Sequence, residues 1–165
     1  MREIEVNDKM QRGYRYCLDA AEGEDFDPEF QPFHSPAEML ALGVFEGKYM
    51  NDCRDEFPES WFEKAKLSEV ADPGVNYFGI KSRQPLSHWR DKGWIHGPDP
   101  RGWFQWYCRY YLGRRSEDDA RQIKGWKVYQ RHATQIVKNC RQGYESCRRK
   151  QRQSLLHWGY DARKM

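Results

Sequence analysis

Apolar residues recur at helical intervals in the C-terminal half of the chain and are irregularly placed before it. From about residue 117 to residue 139 they predict one long helix. The positions that follow this spacing are Ile123, Trp126, Ala133, Ile136, Val137 and Cys140. Shorter helices are predicted over residues 36–42, 85–92, 100–112 and 144–158.

Capping residues and turn residues mark where several of these helices begin and end. Ser35 and Glu38 have the spacing of a capping box, so we expect a helix to begin at Pro36. Gly43 and Gly113 are placed to end helices. Asp99 is placed to cap the helix that begins at Pro100.

The predicted fold is mainly α, a single compact helical domain over residues 35–165 with an aromatic-rich core and few or no strands. Only residues 75–80 resemble a strand, and one short strand cannot make a sheet. Residues 1–34 are predicted to be an acidic N-terminal arm, either docked on the domain or flexible.

Composition favours a core built from large rings. Aromatic residues make up 15% of the 165 positions, within a total hydrophobic content of only 38%. No run approaches the length of a membrane span, which excludes a membrane partner, and no apolar leader is visible. The five cysteines show no tight pairing, which favours reduced thiols and a cytoplasmic protein.

Charge is divided sharply between the two halves of the chain. Residues 1–80 carry 8 Lys and Arg against 18 Asp and Glu, whereas residues 81–165 carry 20 against 7. A basic half rich in Arg and aromatic residues indicates contact with a polyanion, most often nucleic acid. We therefore predict a nucleic-acid-binding protein, with DNA slightly favoured over RNA because the last two helices suggest a helix-turn-helix.

The candidate nucleic-acid-binding residues cluster around the last predicted helix and after the aromatic one. Their cations would neutralise phosphates, while a glutamine could contact a base edge. They are Arg148, Arg149, Lys150, Arg152, Arg114, Arg115 and Gln151. Two alternatives stay open for this basic segment: a solvated cationic face, or a surface for acidic protein partners. The rings of residues 103–111 could likewise form the core or act as stacking platforms for bases.

A second hypothesis is a small enzyme that acts on a nucleotide or nucleic acid. Asp52, Asp55 and Glu56 form a carboxylate cluster that could supply a general acid or base, or hold Mg²⁺. No other cofactor is predicted. The cysteines and histidines lack the usual spacing of a zinc site, so no metal ligand is assigned. A third hypothesis is a protein-interaction module whose oppositely charged halves pair within one chain or between chains.

Two strings of the sequence resemble an uncharacterised family of predicted proteins. They are NDCRDEFPESWF from Asn51 and GWIHGPDPRGWFQWYCRYYLGRR from Gly93. The resemblance carries no known activity, so it assigns no functional residue. It implies one compact domain that includes both the acidic and the basic half.

Overall fold

The computed structural model describes residues 2–48, 51–83 and 86–165. Within these residues, most of the regular structure is helical. The α-helices are α1 (Pro36–Leu42), α2 (Leu86–Asp91), α3 (Trp103–Leu112), α4 (Asp119–Val128), α5 (Gln130–Asn139) and α6 (Arg149–His157). Short 3-10 turns at Phe45–Gly47, Arg54–Glu56, Glu59–Phe62 and Pro73–Val75 connect α1 to the segment before α2.

Helix α3 lies at the centre of the molecule. Every residue from 101 to 110 is buried, including the polar Gln105 and Arg109. The rings of Trp103, Trp106, Tyr107 and Tyr110 all contact Phe30, whose side chain is 1% exposed. The aromatic-rich core expected from the composition therefore forms around this helix, and a helix with rings on two faces is buried on both.

The prediction of a mainly α fold with few or no strands is wrong. Strands β1 (Arg2–Asn7) and β2 (Arg12–Leu18) pair as a two-stranded antiparallel sheet, which gives a mixed α/β structure with about 41% helix and 8% strand. Charged residues alternate with Val6 and Tyr16, which are buried. This period of two was the signal for strands within the segment interpreted as an arm.

The acidic segment after the hairpin lies against α3. The backbone N–H groups of Asp19 and Ala20 donate to the carbonyl oxygen of Gly113, at 2.8 and 3.1 Å. Gly113 has a φ of 128°, and a Cβ there would lie 2.0 Å from the Ala20 carbonyl oxygen. Only glycine permits both this backbone conformation and this close approach.

Several local predictions are confirmed and others change. Ser35 accepts a hydrogen bond from the Glu38 N–H, and α1 has the predicted bounds. The predicted long helix divides at Tyr129 into α4 and α5, and the last helix begins only at Arg149. Residues 75–80 form no strand in the part of the chain that the structure describes.

The prediction that the cysteines are reduced thiols is also wrong for two of the five. Cys140 and Cys147 form a disulfide within the connection from α5 to α6, whereas Cys17, Cys53 and Cys108 take part in no disulfide among the described residues. The seven-residue separation gave no recognisable pairing motif, because the pairing depends on how the connection folds back on itself.

Candidate functional site: a basic aromatic groove

A wide groove crosses one face of the molecule, and we call it the basic groove. Its volume is about 1580 Å³. It is lined by residues of α2, α3, α4, α5 and α6, together with segments before α2 and before α6. Residues distant in sequence therefore meet along one continuous surface.

The charge lining the basic groove is of a single sign. Among the described residues, none of those that line it is Asp or Glu. Three of its cations are paired with carboxylates: Arg83 with Glu46, Arg101 with Asp52 and Asp8, and Arg121 with Asp118. Five others form no ion pair within the described ranges, namely Lys48, Lys81, Lys124, Arg148 and Lys150.

Aromatic rings form one wall of the basic groove. Trp158 lies 4.6 Å from Trp103 between ring centroids, and it stacks on Tyr129 at 4.8 Å and on Trp89 at 6.1 Å. Trp94 packs edge-on against Trp89 and remains 48% exposed. The wall therefore combines rings held by their neighbours with one indole that is open to a ligand.

The floor of the basic groove, formed around Trp103 and His157, contains two buried ring nitrogens that have no hydrogen-bond partner among the described residues. They are Nε1 of Trp103 and Nε2 of His157. The backbone N–H of Phe45 donates to the other ring nitrogen of His157 at 3.3 Å. Burial, reinforced by the charge of Arg83, lowers the pKa of His157 to about 3, so its ring is neutral near pH 7.

The N-terminus of α6 adds positive potential at one end of the basic groove. No side chain caps this helix, and its first turn contains no acidic residue. Arg148 precedes it in the left-handed region, with a φ of 54°. The partial positive charge of the helix terminus and the cations of Arg148 and Lys150 therefore act in the same place.

The structure brings together three of the seven predicted nucleic-acid-binding residues. Arg148, Lys150 and Gln151 line the basic groove. Gln151 is held there, because its amide lies 2.8 Å from Nδ1 of His132. Arg149 is exposed at the start of α6 but does not line the groove.

The other three predicted arginines are engaged inside the fold. Arg114 is 3% exposed, and its guanidinium donates to both carboxylate oxygens of Asp99. Arg152 is fully buried and donates to backbone carbonyls near the C-terminus. Arg115 lies 3.8 Å over the ring of Tyr110 and donates to carbonyls of the acidic segment.

The predicted carboxylate cluster is dispersed. Glu56 accepts two hydrogen bonds from the guanidinium of Arg109, at 2.7 and 3.0 Å, and its side chain is 3% exposed. Asp52 pairs with Arg101 at 2.7 Å, whereas Asp55 is exposed and forms no ion pair with any described residue. No group of three His, Cys, Asp or Glu side chains in the described ranges could hold a metal ion.

Asp99 belongs to the same buried network and is not a helix cap as expected. It accepts from Arg109 at 2.9 Å and from Arg114 at 2.7 Å. Burial raises the pKa of this carboxyl, but the two guanidinium groups outweigh that effect and hold its pKa below the ordinary value. Gly102 takes the position before α3 instead.

Most groove residues could not be identified from the sequence. Lys48, Lys81 and Lys124 are isolated cations in three separate segments, and no local pattern relates them. The helix-turn-helix comparison also fails, because the connection between α5 and α6 runs from residue 140 to residue 148. That motif uses a turn of about three to four residues.

Among the residues that the structure describes, no helix is both long enough and apolar enough to cross a membrane. No family model, curated protein or solved structure matches this chain. The resemblance to a family of predicted proteins therefore stays a prediction, and the geometry of the basic groove is what bears on function.

Proposed function

We propose that the protein binds single-stranded nucleic acid in the basic groove. The observation that carries this proposal is the lining itself, where unpaired cations and aromatic rings occur together and no described carboxylate intervenes. Proteins that bind single strands combine these two elements, since the cations follow the phosphates and the rings stack on the bases.

Five cations of the basic groove are available to a ligand. Lys48, Lys81, Lys124, Arg148 and Lys150 are exposed side chains. Because none of them forms an ion pair within the described ranges, binding a phosphate breaks no internal pair. Each contact instead releases a counterion from the strand, which favours association at low salt.

A single strand suits this surface better than a duplex. The indole of Trp94 is about half exposed, and the neighbouring ring of Trp89 is partly exposed. A base can stack on such rings only when it is unpaired and accessible on its face. The helix pair that suggested duplex DNA lacks the short turn of a helix-turn-helix.

The test is fluorescence anisotropy with labelled single-stranded DNA, single-stranded RNA and duplex DNA. We expect single strands to bind more tightly than the duplex, and binding to weaken from about 50 mM to about 200 mM salt. Reversing three groove charges together, Lys81→Glu, Lys124→Glu and Lys150→Glu, should reduce the salt slope by about 2, at about 0.7 per phosphate.

The matched control reverses three exposed cations away from the basic groove, Lys64→Glu, Lys138→Glu and Lys164→Glu. This control changes the net charge of the chain as much as the groove variant does. If the strand contacts only the groove, the salt slope of the control should be almost unchanged. Equal losses in the two triple variants would show only a general charge effect. Salt-independent affinity, or no binding to any strand, would overturn the proposal.

A further inference from the structure

The two residues that carry the unpartnered nitrogens on the floor of the basic groove are connected through shared ring contacts. The ring of Trp103 contacts Trp158, which directly follows His157 in the chain. Phe45 stacks on the His157 ring at 4.5 Å and contacts Phe104, the residue after Trp103. The first turn of α3 and the last turn of α6 therefore meet here.

Both nitrogens are hydrogen-bond donors. Trp103 Nε1 always carries a proton. His157 Nδ1 accepts from the Phe45 N–H, which places the proton of the neutral ring on Nε2. A buried donor that lacks a partner is costly, and such groups are uncommon in folded proteins. Two of them together on the floor of a groove indicate a ligand with acceptor atoms.

The surroundings of these donors favour a neutral acceptor over a phosphate. The rings of Phe45, Phe104 and Trp158 surround them, so a charged oxygen placed there would lose most of its hydration. The unpaired cations provide better positions for phosphates along the same groove. A planar base with carbonyl oxygens or ring nitrogens at its edge fits both the donors and the aromatic walls.

We propose that the floor of the basic groove binds one unstacked base of the strand by its acceptor edge, through the N–H groups of Trp103 and His157. This inference rests on the proposed binding of single strands, and it adds a pocket that holds a single base of the strand. The phosphates on either side would then lie along the unpaired cations, and Trp94 would stack on a neighbouring base.

The test compares three strands of equal length: oligothymidylate, the same strand with difluorotoluene in place of thymine, and an abasic strand. Difluorotoluene keeps the shape of thymine but lacks its carbonyl acceptors. The unmodified protein should bind thymine about fivefold more tightly than difluorotoluene for each hydrogen bond lost. The abasic strand should be the weakest, since it also lacks stacking.

The variant Trp103→Phe removes one donor and keeps a ring. It should bind oligothymidylate about fivefold more weakly and bind the difluorotoluene strand as the unmodified protein does. The control Trp94→Phe removes the N–H of an exposed indole that would stack beside the pocket. It should weaken the thymine and difluorotoluene strands to the same extent, so the ratio of their affinities should be preserved.

The outcomes separate this inference from the proposed function. Equal affinity of the unmodified protein for thymine and difluorotoluene strands, with both bound in a salt-dependent way, would overturn the base pocket and leave single-strand binding intact. No binding of any of the three strands would overturn both. If Trp103→Phe unfolds, the comparison of thymine with difluorotoluene on the unmodified protein still decides the matter.

Discussion

Glu56 shows how burial decides the role of a single residue. Beside Asp52 and Asp55 in the sequence, it looked like part of a catalytic cluster. In the fold it is buried against Arg109, and the hydroxyl of Tyr16 also donates to it. A carboxylate whose oxygens are engaged in this way holds elements together and has little capacity left for a substrate.

We expect Glu56→Gln to lower the free energy of unfolding by about 2 to 3 kcal/mol, because it leaves Arg109 buried with less compensating charge. Asp55→Asn is the matched control, and its effect should stay within about 0.5 kcal/mol since the side chain is exposed. Urea denaturation measures both. Similar stabilities for the two variants would show that Glu56 is not a structural partner of Arg109.

His157 makes stability depend on pH. Its pKa in the folded protein is lowered from the ordinary value of 6.5 to about 3 by burial and by the charge of Arg83. Between these two values the unfolded chain binds a proton that the folded protein does not. The contribution of His157 to stability is therefore fully present above about pH 6.5. Below that pH the free energy of unfolding falls by up to about 1.4 kcal/mol per pH unit.

Denaturation between about pH 6 and about pH 4.5 should show this slope in the unmodified protein and lose most of it in His157→Phe. His132, whose pKa is also lowered, is present in both proteins and cannot cause the difference between them. The buried Asp99 stays ionised in the folded protein throughout this window, because the guanidinium groups of Arg114 and Arg109 hold its pKa below the ordinary value of 3.8. Parallel pH profiles would contradict the assignment to His157.

At the scale of elements, local sequence signals predicted where a helix begins and ends, but they did not predict which elements pack together. Ser35, Glu38 and Gly43 define α1 through contacts within a few residues, so the sequence alone placed that helix correctly. The hairpin alternation at Val6 and Tyr16 was equally local and could have been recognised. The basic groove depends on contacts between α2, α3 and α6, and these follow from packing that no local pattern reports.

The connection between α5 and α6 is the element that orients the basic end of the groove. Its disulfide joins Cys140 to Cys147, one residue before Arg148, and the carbonyl of Cys147 accepts from the buried Arg152. The cross-link therefore restricts the segment that leads directly into α6. Its effect on stability should come mainly from limiting the unfolded chain.

Reduction of the disulfide should lower the free energy of unfolding by about 2 to 3 kcal/mol. This is the stabilisation expected when a cross-link closes so short a loop and reduces the conformational entropy of the unfolded chain. Guanidinium denaturation with and without a thiol reductant measures this difference. The double variant Cys140→Ser and Cys147→Ser should have the reduced stability in both conditions. Identical curves for the unmodified protein with and without reductant would show that the cross-link contributes nothing.

At the scale of the whole molecule, the two charge blocks neutralise each other only in part. The acidic half supplies the carboxylates that pair with Arg101 and Arg109, and Glu29 pairs with Lys127 across the surface. Five cations of the basic groove form no ion pair among the described residues, namely Lys48, Lys81, Lys124, Arg148 and Lys150. The polyanion-binding surface predicted from the charge asymmetry therefore stays a prediction, and the asymmetry does not indicate which cations remain available.

The central position of α3 also has a consequence for synthesis. Gln11, His34 and Glu56 all form hydrogen bonds with residues of α3, and that helix begins only at Trp103. Roughly the first hundred residues therefore leave the ribosome before their core partner exists, and contacts so distant in sequence form slowly. Because residues 1–80 carry an excess of negative charge, self-repulsion opposes their collapse, and we expect this segment to acquire its structure only after α3 has emerged.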